Sequence, residues 1–177
     1  MEFDDQPILT GPRLTLRPLT ESDRASLRQA ASDPRTWEQH PARERWRPDV
    51  FDPYFDFLLA AGGTLAAWEA DTIIGCSRFY AVPDQPADIG IGFTFLAPTH
   101  WGGRFNTEMK RLMVTHAFAT FARIWFHIAP DNTRSQIATT RQGAVWRYDA
   151  ELNLGPGPSL TKCYEMTLET WEAAHAD

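Results

Sequence analysis

The most informative segment of the sequence is Asp88-Ile-Gly-Ile-Gly-Phe-Thr-Phe-Leu96, followed by Ala97-Pro-Thr-His-Trp-Gly-Gly-Arg-Phe105. Its first part alternates large and small residues, which predicts a strand over 88–96 with the apolar side chains of 89, 91, 93 and 95 on one core-facing surface. The other surface carries only Gly90, Gly92 and Thr94. Such a bare strip suits the close approach of a ligand or backbone, or packing against a bulky neighbour. Both interpretations remain open on this segment alone.

The loop after this strand leads into a predicted helix that runs from a cap at Asn106 to about Phe121. Arg123 to Ala129 then alternates again and predicts another strand. A strand, loop, helix and strand in this order form a right-handed parallel crossover. The first amides of the helix, at 103–107, have no partners inside it, so this turn predicts a phosphate site.

A second helix start, Pro130 to Ser135, follows the next parallel strand, and this helix should end near Gln142 with Gly143 as its stop. Both helix starts therefore lie at the carboxyl ends of adjacent parallel strands, where α/β sheets bind ligands.

The rest of the chain is organised around short turns. We predict a strand over 14–18, a helix over 20–31, an irregular excursion over 32–53, a helix over 53–61, an antiparallel hairpin of 64–69 and 72–82, and a final hairpin of 144–149 and 162–168. No repeat or linker divides the sequence, so we expect a single domain over residues 1–177.

Composition limits the class of protein. The 177 residues are 43% hydrophobic and 23% charged, which excludes disordered, collagenous and coiled-coil classes. With 17 basic and 23 acidic residues, the formal charge of −6 predicts neither nucleic acid nor membrane as a partner and weakly favours a cationic one. The acidic start predicts no secretory leader, and Cys76 and Cys163 are expected to be buried free thiols. A cytoplasmic location is the expectation.

The motifs together resemble the GNAT superfamily of N-acetyltransferases, in particular the branch that contains ribosomal-protein N-terminal alanine acetyltransferases. The resemblance covers nearly the whole chain. It rests on Leu9-Thr-Gly-Pro-Arg-Leu-Thr-Leu-Arg-Pro18, Gly92-Phe-Thr-Phe-Leu-Ala-Pro98, Trp101-Gly-Gly-Arg-Phe-Asn-Thr-Glu108, Lys110, Leu112-Met113, His116-Ala-Phe118, Asn132-x-x-Ser135, Ala138, Gly143-Ala144 and Glu165-Met-Thr-Leu-Glu-Thr-Trp171.

This resemblance implies the acyl-CoA N-acyltransferase fold: mixed α/β (α+β), with a mostly antiparallel twisted sheet, a central parallel pair that splays apart, and helices on both faces. It implies acetyl-CoA (coenzyme A) as co-substrate and no metal. The pantetheine arm would pair with backbone at 95–97, and the pyrophosphate would lie on amides at 101–107. The implied coenzyme-binding residues are Phe95, Leu96, Ala97, Trp101, Gly102, Gly103, Arg104, Phe105, Asn106, Thr107, Asn132 and Ser135. For Asn132 the alternative is an ordinary helix cap, and for Ser135 it is a serine that faces solvent.

The implied reaction is direct attack of a primary amine on the thioester. It needs an acceptor for the amine proton, a donor to the developing oxyanion and a proton for the leaving thiolate. Relatives often carry a glutamate where Gly90 stands, so Asp88, two residues earlier, is the predicted substitute; the alternative is a turn aspartate. Relatives often carry a tyrosine where Thr139 stands, which leaves Ser135 or an ordered water as the acid.

Other side chains carry less specific predictions. Among the histidines, His116 is expected in the core, His127 is expected to pack rather than reach the cleft, and His100 is placed for phosphate contact. Aromatic residues in the early excursion are candidates for an amine pocket by cation–π contact, or for the core: Trp37, Trp46, Phe51, Tyr54 and Phe55.

The predicted function is therefore acetyl-CoA-dependent transfer of acetyl to a peptide N-terminus or small-molecule amine, and the alternative is an acyl-CoA-binding module without turnover. The excess of acidic residues suits an acceptor that arrives protonated. The sequence leaves open the acceptor, the acid and base, catalytic competence, and whether the chain is a monomer or a homodimer.

Overall fold

The computed structural model describes residues 2–176 and contains one sheet of eight strands in the order β1-β2-β3-β4-β5-β6-β8-β7. All neighbouring strands are antiparallel except the central pair, β5 and β6. The strands are β1 (Leu9–Thr10), β2 (Thr15–Pro18), β3 (Thr64–Glu69), β4 (Thr72–Ala81), β5 (Ile89–Leu96), β6 (Arg123–Ile128), β7 (Val145–Asn153) and β8 (Pro158–Thr167).

Helices cover both faces of this sheet, so the mixed α/β architecture predicted from the sequence is confirmed. One face packs on the helix that contains Met109 and Met113, and the other packs on the two helices that contain Leu27 and Phe55. The helices are α1 (Arg24–Ala30), α2 (Pro48–Ala61), α3 (Phe105–Phe118), α4 (Thr133–Arg141) and α5 (Leu168–His175), with short 3-10 turns at Glu21–Asp23, Pro34–Trp37 and Pro98–His100.

Two helices depart from the sequence prediction. α2 begins at Pro48 and continues through Pro53, because a proline at the first helical position fits the helix and the interior proline removes only one backbone hydrogen bond. α5 was not predicted as a helix. Its start is marked by a capping box in which Thr167 and Thr170 bond to each other's backbone amides.

The parallel pair separates almost at once. Between β5 and β6 only Ile89 with Ile124 and Gly90 with Trp125 are paired, although both strands continue beyond them. Past Gly90 the facing edges of the two strands therefore have no strand partner, which opens a V in the middle of the sheet.

A bulge in β5 explains why its side chains do not keep one alternation. Phe93 has φ of 53°, and the register with β4 shifts between Cys76 and Arg78. Ile91 consequently packs in the core beneath α3, whereas Phe95 packs in the core beneath α1 and α2. The prediction that 89, 91, 93 and 95 share one face is wrong, because the extra residue turns the strand over.

The glycine strip of β5 is filled by a side chain from β4. A Cβ added at Gly90 would lie 2.3 Å from Cε2 of Tyr80, and one at Gly92 would lie 3.1 Å from Cε1 of the same ring. Of the two interpretations left open above, packing against a bulky neighbour is the one that the structure shows at Gly90.

Both thiols are buried and free, as predicted for Cys76 and Cys163. Within residues 2–176, no helix combines the length and apolarity that a membrane crossing requires.

Candidate active site

A cavity of about 590 Å³ opens where β5 and β6 separate. Its walls come from β5 and β6 with Tyr80 of β4, the starts of α3 and α4, the segment 36–54, and the β7–β8 loop. Seven of the twelve residues implied to bind coenzyme A line it: Phe95, Leu96, Trp101, Gly102, Asn106, Asn132 and Ser135. Five others lie along the same loop or helix start without lining the cavity: Ala97, Gly103, Arg104, Phe105 and Thr107.

The loop between β5 and α3 presents backbone amides at the cavity mouth. Gly102 has φ of +70°, with no other atom within 4 Å of the place where a Cβ would stand. The indole of Trp101 donates to the carbonyl of Leu96 at 2.8 Å and so fixes the loop against the end of β5. Arg104, rather than Asn106 as predicted, precedes the first helical residue, so the amides of 105–107 are those left free at the helix start.

The start of α4 forms the opposite wall. Asn132 caps this helix, because its side chain accepts a hydrogen bond from the amide of Ser135 at 3.2 Å. Asn132 also lines the cavity, so the cap and the predicted place beside the coenzyme are compatible. The guanidinium of Arg134 lies 4.1 Å from the ring centroid of Trp101 and donates to the carbonyl of Thr36 at 3.3 Å. Three separate segments are thereby joined around the cavity mouth.

Tyr80 and His127 form a hydrogen-bonded pair in the cavity wall. The Tyr80 hydroxyl lies 2.7 Å from Nδ1 of His127, whereas Nε2 of His127 is buried with no hydrogen-bond partner among residues 2–176. Burial lowers the pKa of His127 to about 4 and raises the pKa of Tyr80, so both groups are neutral at neutral pH. His127 was expected to pack rather than reach the cleft; it does both, since it also lines the cavity.

Lys110 is a cavity residue that sequence reasoning missed. It is buried, and its Nζ donates to the hydroxyl of Thr94 at 2.8 Å, which in turn lies 2.8 Å from the hydroxyl of Ser77. Burial lowers the pKa of Lys110 to about 7. A usable signal existed: Lys110 stands four residues after Asn106, and so on the same face of the helix.

Asp88 occupies a different place from the one predicted for a catalytic base. Its buried carboxylate accepts hydrogen bonds from Nε of Arg123 at 2.9 Å and from the indole of Trp125 at 2.8 Å, and it does not line the cavity. This geometry favours a structural role at the start of β5. The catalytic assignment itself stays a prediction.

The early excursion contributes part of the cavity wall and part of the core. Trp37 and Tyr54 line the cavity, whereas Phe51 and Phe55 are fully buried in the core beneath α2. Arg45, which sequence reasoning did not single out, also lines the cavity, with its guanidinium carbon 3.7 Å from the ring centroid of Tyr54. Trp46 packs against the edge of the same core.

Among residues 2–176 no three side chains of the metal-binding types His, Cys, Asp and Glu come together.

Comparison with known proteins agrees with this architecture. A family model described as "Acetyltransferase (GNAT) domain" matches residues 13–145, which is more than half of the chain. Comparison with curated proteins finds no match.

Solved structures share the fold at low sequence identity. A GCN5-related N-acetyltransferase from Brucella melitensis superimposes with a TM-score of 0.81 at 16% identity, covering 98% of this chain and 84% of that one. Mycobacterium smegmatis RimJ, solved with CoA-disulfide, gives 0.68 at 18% identity, covering 96% and 90%. The aminoglycoside acetyltransferase AAC(6')-Ib, solved with coenzyme A and kanamycin, gives 0.65 at 20% identity, covering 92% and 99%.

These likenesses establish the fold, and the family match extends across the splayed strands and both helix starts that form the cavity. The chain therefore belongs to the GNAT superfamily of N-acetyltransferases.

Proposed function

We propose that this protein transfers an acetyl group from acetyl-CoA to a primary amine, by direct attack of the amine on the thioester. The observation that carries this proposal is the cavity itself, which enters the sheet between β5 and β6 where their facing edges lack strand partners. Unpaired backbone at this depth suits a peptide-like ligand arm, because it supplies donors and acceptors that otherwise stay unsatisfied.

Residues around the cavity would hold two parts of coenzyme A, the pantetheine arm and the pyrophosphate. Backbone at 95–97 would hold the pantetheine arm, with the side-chain amide of Asn132 on the opposite wall. The free amides at the start of α3 and the positive end of its dipole would hold the pyrophosphate, with Arg104 adjacent. When bound, acetyl-CoA supplies the activated acetyl group, and no metal is part of the proposal.

For the proton lost by the amine, the structure favours the Tyr80–His127 pair over Asp88. Tyr80 occupies the space beside Gly90, where many relatives carry a glutamate, and its hydroxyl touches the imidazole in the cavity wall. The Tyr80 hydroxyl and Nδ1 of His127 can pass a proton between them. Ser135, which lines the cavity in the first turn of α4, is proposed as the donor to the leaving thiolate.

Two measurements test this proposal against an acyl-CoA-binding module without turnover. Calorimetric titration with acetyl-CoA measures binding, and release of free thiol over a panel of amines measures transfer. We expect both binding and amine-dependent release. Binding without release from any amine would support the module, and absence of binding would contradict both functions.

A further inference from the structure

The charge of the cavity differs from the charge of the protein. The chain carries a formal −6, yet none of the cavity-lining residues within 2–176 is Asp or Glu, whereas Arg45, Lys110 and Arg134 are all among them. Two acids outside the lining already have partners: Glu69 lies 2.7 Å from Nε2 of His100, which lines the cavity, and Asp84 accepts from the hydroxyl of Tyr148 at 2.7 Å. A polycationic acceptor would find no carboxylate in these walls.

The three cations have different partners. Arg134 stacks on Trp101 at the mouth, next to the proposed pyrophosphate site, and bonds to the carbonyl of Thr36. Lys110 is held by the hydroxyl of Thr94. Arg45 belongs to the segment before α2 and lies over Tyr54. Of the three, Arg45 is the one whose side chain has no oxygen partner among residues 2–176, which leaves it to recognise the acceptor.

Arg45 has a cationic head without an anionic partner. No Asp or Glu within residues 2–176 forms an ion pair with it, and its Nε is buried without a hydrogen-bond partner in the same range. The rings of Tyr54 and Trp37 lie 3.7 and 5.2 Å from its guanidinium carbon. Stacking on a ring leaves the N–H groups in the guanidinium plane available for two parallel bonds to a carboxylate.

His40 presents a second donor at the same point. The backbone amide of Ala42 donates to Nδ1 of His40 at 2.9 Å, so the ring proton must sit on Nε2. That Nε2 lies 3.5 Å from Nη1 of Arg45, which is also a donor. Two N–H groups cannot bond to each other, and both residues line the cavity, so one oxygen anion placed between them would accept from both.

We propose that Arg45 and His40 form a carboxylate-binding subsite, and that the acceptor is a small primary amine carrying a carboxylate, namely a free α-amino acid. This inference rests on the proposed acetyl transfer. Apolar and aromatic residues line the same cavity and suit an apolar amino-acid side chain: Trp37, Tyr54, Phe93, Leu154 and Pro156.

The test compares leucine with leucinamide, which keeps the amine and side chain but lacks the carboxylate charge. Because the two amines differ in pKa, the quantity to measure is the leucine-to-leucinamide ratio of kcat/KM across variants. In Arg45→Gln we expect this ratio to fall about 10- to 100-fold, the size of a lost charged hydrogen bond, with leucinamide turnover nearly unchanged. The ratio for Arg45→Lys should fall between those of the parent and Arg45→Gln, because lysine keeps the positive charge but cannot make two parallel hydrogen bonds to a carboxylate.

The matched control is Arg43→Gln, an exposed arginine two residues away that does not line the cavity and should leave the ratio unchanged. Melting temperatures of all variants exclude misfolding as a cause. An unchanged ratio in Arg45→Gln, or preference for spermidine or kanamycin over leucine, would overturn the subsite while leaving acetyl transfer standing.

A binding arm separates the two proposals. Leucine is titrated calorimetrically into the CoA-saturated protein and its Arg45→Gln variant. Binding that depends on Arg45, without turnover of any amine, would support the subsite and contradict the transferase. No binding of leucine would overturn the subsite. A better rate with a peptide that has N-terminal glutamate than with leucine would keep the carboxylate-binding subsite but contradict the proposal that the acceptor is a free amino acid.

Discussion

At the scale of single residues, the active site is shaped by one ring. Tyr80 fills the strip beside Gly90 and Gly92 and brings its hydroxyl to His127. A carboxylate at position 90 has no room while this ring is present, because even a Cβ would lie 2.3 Å from it. The same residue thus explains both the glycines of β5 and the position of the proton-handling pair.

Gly90→Ala should lower the free energy of unfolding by roughly 1–3 kcal/mol, because overpacking forces the ring or the strand to move. Denaturant unfolding measures this directly. Gly103→Ala is the control, since a Cβ there meets only Cδ2 of Phe105 at an ordinary 3.7 Å. Equal stability of the two variants would contradict the packing account.

The base assignment is tested by comparing Asp88→Asn with His127→Gln. Asp88→Asn should lower the free energy of unfolding by roughly 1–3 kcal/mol, because it weakens the bonds to Arg123 and Trp125. Its kcat and pH profile should match the parent's. His127→Gln should instead lower kcat about a hundredfold, the scale of a lost general base. A stable Asp88→Asn variant with a shifted pH profile would restore the assignment made from the sequence.

Lys110 adds a pH dependence of stability. Its pKa in the folded protein is about 7, below its value in the unfolded chain, so the unfolded state holds the extra proton between about pH 7 and 10. The folding penalty is therefore full at and below pH 7 and disappears as the pH rises. Lys110→Met should raise the free energy of unfolding at pH 7 by roughly 1–4 kcal/mol, with the gain shrinking towards pH 10.

Denaturant midpoints across this pH range measure the effect. Lys162→Met, at a partly exposed lysine paired with Asp149, should show no such pH-dependent gain. A gain that stays constant with pH would contradict the lowered pKa, because it would mean that Lys110 binds its proton equally well in the folded and unfolded chain.

At the scale of elements, the site depends on two irregularities of β5: the bulge at Phe93 and the early end of its pairing with β6. The bulge turns Phe95 towards α2 and leaves Thr94 towards Lys110. The lost pairing exposes backbone at the point where α3 and α4 begin. These features convert a regular strand into the wall of a cleft.

The loop before α3 gives a prediction for coenzyme binding. Gly103→Trp should weaken acetyl-CoA binding at least about tenfold in calorimetry, because a bulky side chain covers the free amides of the helix start. The melting temperature should change little, since the fold leaves space there. Arg111→Trp, exposed on the same helix, is the control; an unchanged dissociation constant for Gly103→Trp would contradict the loop assignment.

Local signals predicted the elements well but not their irregularities. The hairpin of β3 and β4 follows from its turn at Ala70 and Asp71, and the crossover from β5 through α3 to β6 follows from periodicity. The sequence does not reveal the bulge, because Phe93 and Phe95 continue the alternation of apolar residues although the bulge turns them to a different face of the sheet. The contact between Tyr80 and Gly90 joins residues on different strands, so neither residue alone reveals it.

At the scale of the whole molecule, the acidic surface and the cationic cavity play different parts. The net charge of −6 favours a protonated amine as acceptor, but no Asp or Glu is among the described residues that line the cavity. Charge counted over the sequence averages these regions and hides the sign of the cavity. The acceptor is therefore better inferred from Arg45 and His40 than from composition.

Mass analysis of the acceptor after incubation with acetyl-CoA, alongside measurement of free thiol, tests acetyl transfer directly. Leucine is the first acceptor to use, followed by the wider amine panel. We expect an N-acetylated product that forms in step with the released thiol and only when the protein is present. Acetyl-CoA binding with no acetylated amine from any acceptor would rule out acetyl transfer.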